Sequence, residues 1–245
     1  MKMKTKIILY IAGCLLLGVV IAIFTVVLIT LPYIEKEETE NIKNDIDRIS
    51  LLLESEIQAV ERTQGDWTWW NDSYDFAENK TASFVEDNLG VATLEQLNLT
   101  GMLFYDKDGS NIYTEYVNDD YKTVLQDTFS QKDTIAQLFQ NVDEMYMNSG
   151  ISVIGNRLFL VSAAGITSTD GTAQANGYLV MIKELDKEYM PYMEDLLGVR
   201  IAYRSGDTAE HHVFNGIAFD KIIRNGEQLT YYGTADDLNS TCIFY

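Results

Sequence analysis

The sequence predicts an α+β protein made of an N-terminal transmembrane helix, a long helix beside the membrane, and an antiparallel sheet flanked by helices. Three observations predict this class. An apolar run of helix length opens the chain, and an apolar stripe with helical spacing follows it. Short β-type runs joined by turn signals then fill the remainder. Helices that precede a set of antiparallel strands are typical of the α+β class.

The predicted transmembrane helix covers residues 7–31, a run of 25 residues without a charged side chain. A helix of this length spans roughly 30 Å of hydrocarbon. Cleaved signal peptides have a shorter apolar core, and the polar residues after Pro32 are a poor cleavage context. The sequence therefore predicts an uncleaved membrane anchor.

Charges on either side of the anchor predict its orientation. Three lysines lie within the first six residues, whereas Glu35, Glu37 and Glu38 follow the apolar run. Because positively charged flanks stay in the cytoplasm, residues 1–6 are expected to form a cytoplasmic tail. We therefore expect a single-pass protein of the cell membrane whose C-terminal domain is extracytoplasmic.

The overall charge argues against one class of partner. The formal net charge is −19, and without the N-terminal lysines it is about −22. Such a field repels phosphate backbones, so nucleic-acid binding is not expected. The two cysteines, Cys14 and Cys242, are expected on different sides of the membrane boundary and lack the spacing of a metal or redox motif.

A long juxtamembrane helix is predicted over residues 33–65. Its apolar positions repeat every three or four residues, at Ile42, Ile46, Ile49, Leu53, Ile57 and Val60. Gly65 is the predicted end, since no glycine or proline lies between Tyr33 and Gln64. The stripe could pack on its own domain, or it could form the seam of a homodimer that transmits motion to the membrane. The sequence leaves both uses open.

Residues 66–245 are predicted to form the extracytoplasmic domain. After short helices around residues 84–97, turn signals at 107–109 and 155–156 predict two hairpins. The predicted strands are Leu99–Asp106, Ser110–Val117, Ile151–Ile154, Arg157–Ala164, Tyr178–Glu184 and Gly198–Arg204. The predicted helices are Tyr121–Asn141 and Leu185–Leu197. Strands near Gln228–Tyr232 and Cys242–Tyr245 are expected to close the same sheet.

A tryptophan-rich segment begins this domain and holds all three tryptophans within four consecutive positions. Its candidate ligand-binding residues are Asp66, Trp67, Trp70, Asp72 and Tyr74. Aromatic faces and carboxylates together can hold a cation or a polar ligand. The same residues can serve as a structural clasp, with the rings in the core and the aspartates near a helix start. Both interpretations stay open.

Other motifs predict no catalysis and no metal or cofactor site. The segment from Asp106 to Ser110 resembles the start of a calcium loop, but Val117 stands where glutamate is needed, so a hairpin turn is expected. His211 and His212 are adjacent and have no nearby cysteine, which favours a solvated loop. Nucleophile, phosphate-loop and zinc-protease motifs are missing from the sequence. The chain is therefore not expected to be an enzyme.

The tryptophan-rich segment resembles the fourth type of CHASE domain, an extracytoplasmic sensor module of prokaryotic signalling proteins. The matching positions are Asp66, Trp67, Trp70, Asp72, Tyr74 and Phe76, followed by Tyr105-Asp106, Gly109 and Ile112-Tyr113. Thr68 stands where the family has a small residue, and Asn71 stands where aspartate is common. The clear resemblance covers residues 33 to about 117.

The resemblance implies a Cache- or PAS-like fold, with an antiparallel sheet of about five strands behind the long helix and a small-molecule cavity on one face. It also implies an output such as a histidine kinase, a cyclic-dinucleotide enzyme or a chemotaxis protein. Because the chain stops at Tyr245 without a second apolar segment, we expect either a piece of a longer, C-terminally truncated receptor or a chain that signals through partners. The expected function is a sensor for an unknown small molecule.

Two other functions compete with the sensor. A dimeric structural or interaction module of the cell envelope would use the helix seam and need no small-molecule ligand. A membrane-tethered hydrolase is disfavoured because the sequence shows no catalytic constellation.

Overall fold

The chain divides into two compact units, Met1–Asp47 and Arg48–Tyr245. The computed structural model describes residues 3–140, 142, 147–201, 203–206, 218–225, 228–236 and 241–244. Helices dominate the first unit, and the second unit adds strands to helices.

The first unit is built from continuous helix. Helix α1 spans Met3–Thr25, a π-helical turn spans Val26–Thr30, and α2 begins at Leu31. Among the described residues, one helical stretch, Met3–Ile34, is long and apolar enough to cross a membrane. Between residues 7 and 31 the stretch has no charged side chain, and its large apolar side chains are exposed. A helix that is apolar all round is typically buried in a protein core or in a membrane.

Helix α2 spans Leu31–Thr68 and so ends three residues beyond the predicted stop at Gly65. The Gly65 carbonyl accepts a hydrogen bond from the Trp69 backbone N–H at 3.0 Å, and Gly65 has no positive φ. A glycine stop needs the left-handed conformation, which is absent at this position. The helix ends where Trp70 adopts extended backbone, with φ −131° and ψ 126°.

The second unit contains six further helices among the described residues. They are α3 (Asn71–Asn79), α4 (Ala82–Asn88), α5 (Val91–Gln96), α6 (Asp119–Ser130), α7 (Lys132–Phe139) and α8 (Tyr189–Leu197). The single helix predicted over 121–141 is two helices, because Gln131 is extended with φ −78° and ψ 125°. Asn118 begins α6 by accepting the Tyr121 N–H on its side-chain oxygen at 3.1 Å.

Five antiparallel strands form the main sheet, in the order β2-β1-β5-β4-β3. The strands are β1 (Gly101–Asp106), β2 (Asn111–Tyr116), β3 (Asn148–Ile154), β4 (Arg157–Gly165) and β5 (Gly177–Glu184). Strand β2 is one edge of the sheet and β3 is the other. This arrangement confirms the predicted α+β class and the expected antiparallel sheet of about five strands.

Both predicted hairpins are present, with their turns at the predicted residues. Gly155 and Asn156 join β3 to β4 with φ of 57° and 64°. Two consecutive positive φ values are what a two-residue hairpin turn requires, and glycine and asparagine adopt them most readily. Gly109 has φ 76° in the turn between β1 and β2.

A second, four-stranded antiparallel sheet follows, in the order β6-β9-β8-β7. Its strands are β6 (Tyr203–Gly206), β7 (Ala218–Asn225), β8 (Gln228–Asp236) and β9 (Thr241–Phe244). The prediction that strands near 228–232 and 242–245 close the main sheet is therefore wrong, because these strands pair with one another. The strand predicted from Gly198 is also wrong at its start, since Gly198 has φ 67° and terminates α8.

The main sheet buries apolar side chains on both faces. On one face α2, α3, α4 and α8 cover a core that includes Leu53, Val60, Phe76, Phe104, Leu160 and Met181. On the opposite face α6 and α7 cover Leu103, Tyr105, Leu125, Leu138, Val161 and Val180. Neighbouring residues of β4 alternate between these cores, as the period of a strand requires. The sheet thus separates α2 from α6.

Substituting Gly177 with alanine should lower the free energy of unfolding by about 2 kcal/mol. A Cβ at Gly177 would lie 2.6 Å from the Tyr105 carbonyl oxygen and 3.0 Å from the Ala77 Cβ, so two strands would have to separate. Gly65→Ala is the control, because its Cβ would meet only the Met147 Cε at 3.6 Å. Chemical denaturation of the full chain in detergent measures both, and equal effects would contradict the expectation.

Candidate functional site

The tryptophan-rich segment joins the end of α2 to the start of α3, and the rings of Trp67 and Trp70 pack against the core. Trp67 and Trp70 are half-buried and meet edge to face, with ring centroids 5.9 Å apart. Trp70 also lies 5.5 Å from the Phe84 ring. Phe76 stacks on Phe84 at 4.6 Å and meets Phe104 of β1 edge to face at 5.3 Å. The aromatic residues therefore bind the helices to the sheet.

Polar atoms of the same segment hold the connection between β4 and β5. The Asn71 side-chain oxygen accepts the Thr169 N–H at 3.0 Å, and the Asn71 N–H donates to the Thr169 hydroxyl at 3.1 Å. The Asn176 side chain donates to the Tyr74 carbonyl at 2.9 Å. The Thr167 N–H adds a bond of 2.9 Å to the carbonyl of Thr68. The segment thus has the contacts of a structural clasp.

The five candidate ligand residues of this segment do not share one environment. Asp66 and Asp72 are exposed, whereas Trp67, Trp70 and Tyr74 are half-buried against the core. The one groove that we describe below is lined by none of them. A ligand-binding role for these residues stays a prediction.

The apolar stripe of α2 packs on its own domain where the structure describes it. Ile49, Leu53 and Val60 are buried in the core beneath the sheet, and Ile57 packs against that core. These positions are therefore occupied and do not offer a free dimer seam. The side chains of Ile42 and Ile46 lie outside the described part of the chain.

Three polar contacts fix α2 to the sheet and to α8. The Gln64 side chain, which is fully buried, donates to the carbonyls of Ser162 at 3.1 Å and Leu179 at 2.7 Å. Glu56 pairs with Lys183 of β5, and both side chains are 15% exposed. The Tyr189 hydroxyl donates to the Leu52 carbonyl. Hydrogen bonds form only within narrow limits of distance and angle, so these contacts fix the position of the helix along its axis. Apolar packing alone would not fix that position.

Glu56→Gln should lower the free energy of unfolding by about 2 kcal/mol, because it leaves the Lys183 ammonium without its anion in a largely desolvated position. Lys183→Met added to Glu56→Gln should recover more than half of that loss. Denaturation of the full chain in detergent measures Glu56→Gln, Lys183→Met and the double variant, which together form a double-mutant cycle. Glu54→Gln, exposed on the same helix, should change little. A purely additive cycle would contradict the pairing.

Strand β5 contacts a different helix on each face through two consecutive residues. Lys183 points to α2, while the Glu184 carboxylate on the other face accepts the Tyr121 hydroxyl of α6 at 2.6 Å. Lys187 lies 3.3 Å and Arg157 3.7 Å from the Glu184 carboxylate. Burial, and then the Glu184 carboxylate, raise the pKa of the Tyr121 phenol, so it remains a donor at neutral pH.

A groove of about 650 Å³ lies between the edge strand β2 and helix α6. Its apolar lining consists of Val91, Leu103, Tyr116, Val117 and Phe129. Its polar lining consists of Asn111, Thr114, Glu115, Asn118, Asp119, Lys122, Gln126 and Ser130. Volumes of roughly 300–1,000 Å³ are typical of small-molecule sites. Burial raises the pKa of the Tyr116 phenol to about 12, so it carries no charge at neutral pH.

Sequence reasoning missed this groove. The available signal was a polar stripe on α6, at Asp119, Lys122, Gln126 and Ser130, whose spacing of three and four residues defines one helix face. The stripe alone is ordinary for a solvated helix. The stripe lines a groove only because α6 packs beside the edge strand β2, whose residues form the opposite side.

The remaining candidate metal ligands are Asp106 and the two histidines. The Asp106 carboxylate accepts the N–H groups of Asp108 and Ser110 at 3.1 and 2.8 Å, which confirms the hairpin turn. Within the described residues, no group of three or more metal-ligating side chains comes together. His211 and His212 lie outside the described residues.

Comparison with known proteins extends the resemblance. A curated relative, the methanogenesis regulatory histidine kinase FilI of Methanothrix harundinacea (strain 6Ac), is 28% identical over 81 residues. This match covers 33% of the chain and 9% of the relative, so the chain spans about a tenth of that protein.

Two solved structures are similar at the level of the backbone. One is the extracellular domain of vpHK1S-Z8, described as a histidine kinase, with a TM-score of 0.48 and 13% identity. The other is the ligand-binding domain of the Campylobacter jejuni chemoreceptor Tlp3 in complex with L-valine, with a TM-score of 0.30 and 11% identity. The alignments cover 84% of this chain in both cases, and 91% and 94% of the two structures.

The family assignment rests on the sequence of the folded unit. The profile of the CHASE4 domain matches residues 52–204, which is more than half of the chain. The matched region begins in α2 and contains the tryptophan-rich segment, the whole main sheet and the groove beside α6. This chain belongs to the CHASE4 domain family of sensor domains.

Proposed function

We propose that this chain is the sensory part of a single-pass membrane receptor, which binds a small molecule and passes the signal through α2 toward the membrane. Membership of the CHASE4 family supports the sensory role. The histidine kinase that matches over 81 residues supports a kinase as one form of the output. The proposal assigns no catalytic step to the chain itself.

The proposed orientation places residues 1–6 in the cytoplasm and the sheet outside. Three lysines before the apolar helix and Glu35, Glu37 and Glu38 after it support this orientation through the positive-inside rule. The net charge of the chain, −19, also suits a domain outside the cell. A charge of this size keeps the domain soluble and repels anionic lipid.

The observation that carries the proposal is the set of polar contacts between α2 and the sheet. Gln64 and Glu56 bind groups on β4 and β5, so α2 holds one position along its axis while these bonds remain. A ligand can transmit a signal only if it binds two arrangements of a protein with different affinity. A change in the sheet that weakens these bonds gives α2 a second arrangement.

The test uses the full chain in lipid nanodiscs and a broad panel of small metabolites. A ligand at a hundred times its dissociation constant should stabilise the folded state by about 2.7 kcal/mol, visible as a raised unfolding temperature. The same ligand should change amide hydrogen exchange in residues 48–68. If no compound stabilises the chain and it remains a dimer throughout, the interaction-module alternative replaces the sensor.

A further inference from the structure

We propose that the groove at the edge strand β2 binds an extended segment of a partner protein, which adds a further strand to the main sheet. The segment that fits alternates apolar and basic residues. Such a partner goes beyond the small molecule of the proposed function, and neither proposal depends on the other. Sheet edges bind extended peptides in this way because the added main chain completes the hydrogen bonds of the edge.

Strand β2 is an outer strand of the main sheet, and some of its main-chain groups point away from it. The Val117 N–H donates to the Thr100 carbonyl at 3.0 Å, which continues the pairing of Gly101 with Tyr116. The main-chain groups of Val117 therefore face β1. Because these groups point to opposite sides in successive strand residues, those of Tyr116 and Thr114 point away from β1. Each of these two residues offers a donor and an acceptor to a further strand.

The sequence of β2 gives this edge little protection against pairing. Proline and lysine commonly protect exposed edges, and residues 111–116 contain neither. Four of the six residues are β-branched or aromatic, the types that favour strands. The opposite edge, β3, contacts β8 and β9 of the second sheet, whereas β2 contacts α5 and α6. Of the two edges of the main sheet, β2 is therefore the one suited to take a further strand.

The groove crosses this edge and has walls on both faces of the sheet. Phe129 belongs to the core beneath α6, whereas Val91 begins α5, whose Leu94 is buried in the opposite core. Glu115 also lines the groove, but its carboxylate lies on the α5 face, where it accepts the Tyr113 hydroxyl at 3.1 Å. A strand that lies along β2 would place alternate side chains on these two faces.

On the α6 face the lining favours apolar side chains. Leu103, Tyr116 and Phe129 lie there and are 2%, 7% and 4% exposed. The Tyr116 ring packs closely over Gly101, where an added Cβ would lie 2.8 Å from the ring. An added strand therefore meets a formed apolar surface, on which a valine side chain loses water-exposed area.

On the α5 face the lining favours a basic side chain. The Glu115 side chain is half-buried, and the hydrogen bond from Tyr113 stabilises its charged form. Opposite charges on neighbouring strands stabilise their pairing, and like charges destabilise it. The net charge of −19 also attracts basic segments over longer distances. A segment that alternates valine with lysine therefore suits both faces.

Three peptides test the class of partner, with the full chain in nanodiscs of zwitterionic lipid. Fluorescence anisotropy of labelled Lys-Val-Lys-Val-Lys-Val should show saturable binding, and amide hydrogen exchange should slow at Thr114 and Tyr116. Glu-Val-Glu-Val-Glu-Val should bind roughly tenfold more weakly. Lys-Lys-Lys-Val-Val-Val keeps the charge without the alternation and should also bind weakly. Absence of saturable binding by the first peptide, equal binding of the two lysine peptides, or protection only elsewhere overturns the inference.

Methylation of the peptide nitrogens separates strand addition from binding through side chains alone. In an antiparallel pair the valine N–H groups donate to the carbonyls of Thr114 and Tyr116, and the lysine N–H groups point outward. Methylating the valine nitrogens should weaken binding roughly thirtyfold, because two hydrogen bonds are lost, and methylating the lysine nitrogens should change it less than about threefold. The reverse order would support a parallel added strand. Equal effects overturn the inference.

Two pairs of variants locate the binding at β2. Thr114→Pro removes an outward N–H and should weaken binding roughly tenfold, at an edge position of the kind where proline is tolerated. Thr114→Ala keeps that N–H and should have little effect. Glu115→Gln should weaken binding of the alternating lysine peptide roughly threefold, whereas Glu78→Gln, exposed on α3, should not. Equal losses within either pair overturn the site.

Discussion

Replacing Phe76 with alanine should lower the free energy of unfolding by about 4 kcal/mol, since a large ring leaves a cavity in a closely packed core. Phe76 is 2% exposed and meets the rings of Phe84 and Phe104, with centroids 4.6 and 5.3 Å away. The substitution removes both contacts at once and separates α3 from β1. Chemical denaturation of the full chain in detergent gives the loss.

The control for Phe76 is an aromatic residue nearby in sequence. Trp69→Ala removes a larger ring whose side chain is 45% exposed, so it should cost less than half as much. Phe76→Leu keeps most of the volume and should fall between the two. A larger loss from Trp69 than from Phe76 would show that the core does not depend on the stacked rings.

Gln64→Ala should lower the free energy of unfolding by about 3 kcal/mol. The buried amide donates to two carbonyls, and its oxygen accepts the hydroxyl of Ser162. Without the amide these groups lose their partners in a site that is closed to water, and a cavity remains. Denaturation of the full chain and hydrogen exchange in residues 48–68 measure the effect.

Gln58→Ala is the matched control, because Gln58 is exposed on the same helix. It removes the same amide and should change stability by less than 0.5 kcal/mol, as is usual for a surface position. Gln64→Glu tests whether the amide must donate its hydrogen bonds. An ionised carboxylate cannot donate to the two carbonyls, so this variant should also lower the free energy of unfolding. Equal effects at positions 58 and 64 would mean that the bonds seen at Gln64 contribute nothing.

Local chemistry explains what could be predicted about the fold. The turn at Gly155-Asn156 needs two positive φ values, and these residue types supply them, so the hairpin is determined within ten residues. The long helix follows in the same way from the spacing of Ile49, Leu53 and Val60. The prediction of a long apolar helix near the N-terminus needs only the length of an uncharged run.

Long-range contacts explain what could not be predicted. The role of the tryptophan-rich segment depends on partners such as Thr169, which is 98 residues from Asn71. The groove exists because α6 packs beside the edge strand β2. No sequence pattern in either element predicts that they pack against each other. The second sheet was missed because its strands have the same local signals as those of the first.

The contacts of α2 also set an order for folding during synthesis. Leu52, Glu56 and Gln64 bond to groups that follow them by 137, 127 and 115 residues. At typical rates of translation the ribosome needs roughly 6–27 s to add that length of chain. For that time the apolar side of a finished helix has no sheet to cover it. The newly made chain therefore exposes that apolar stripe until β4 and β5 have been synthesised.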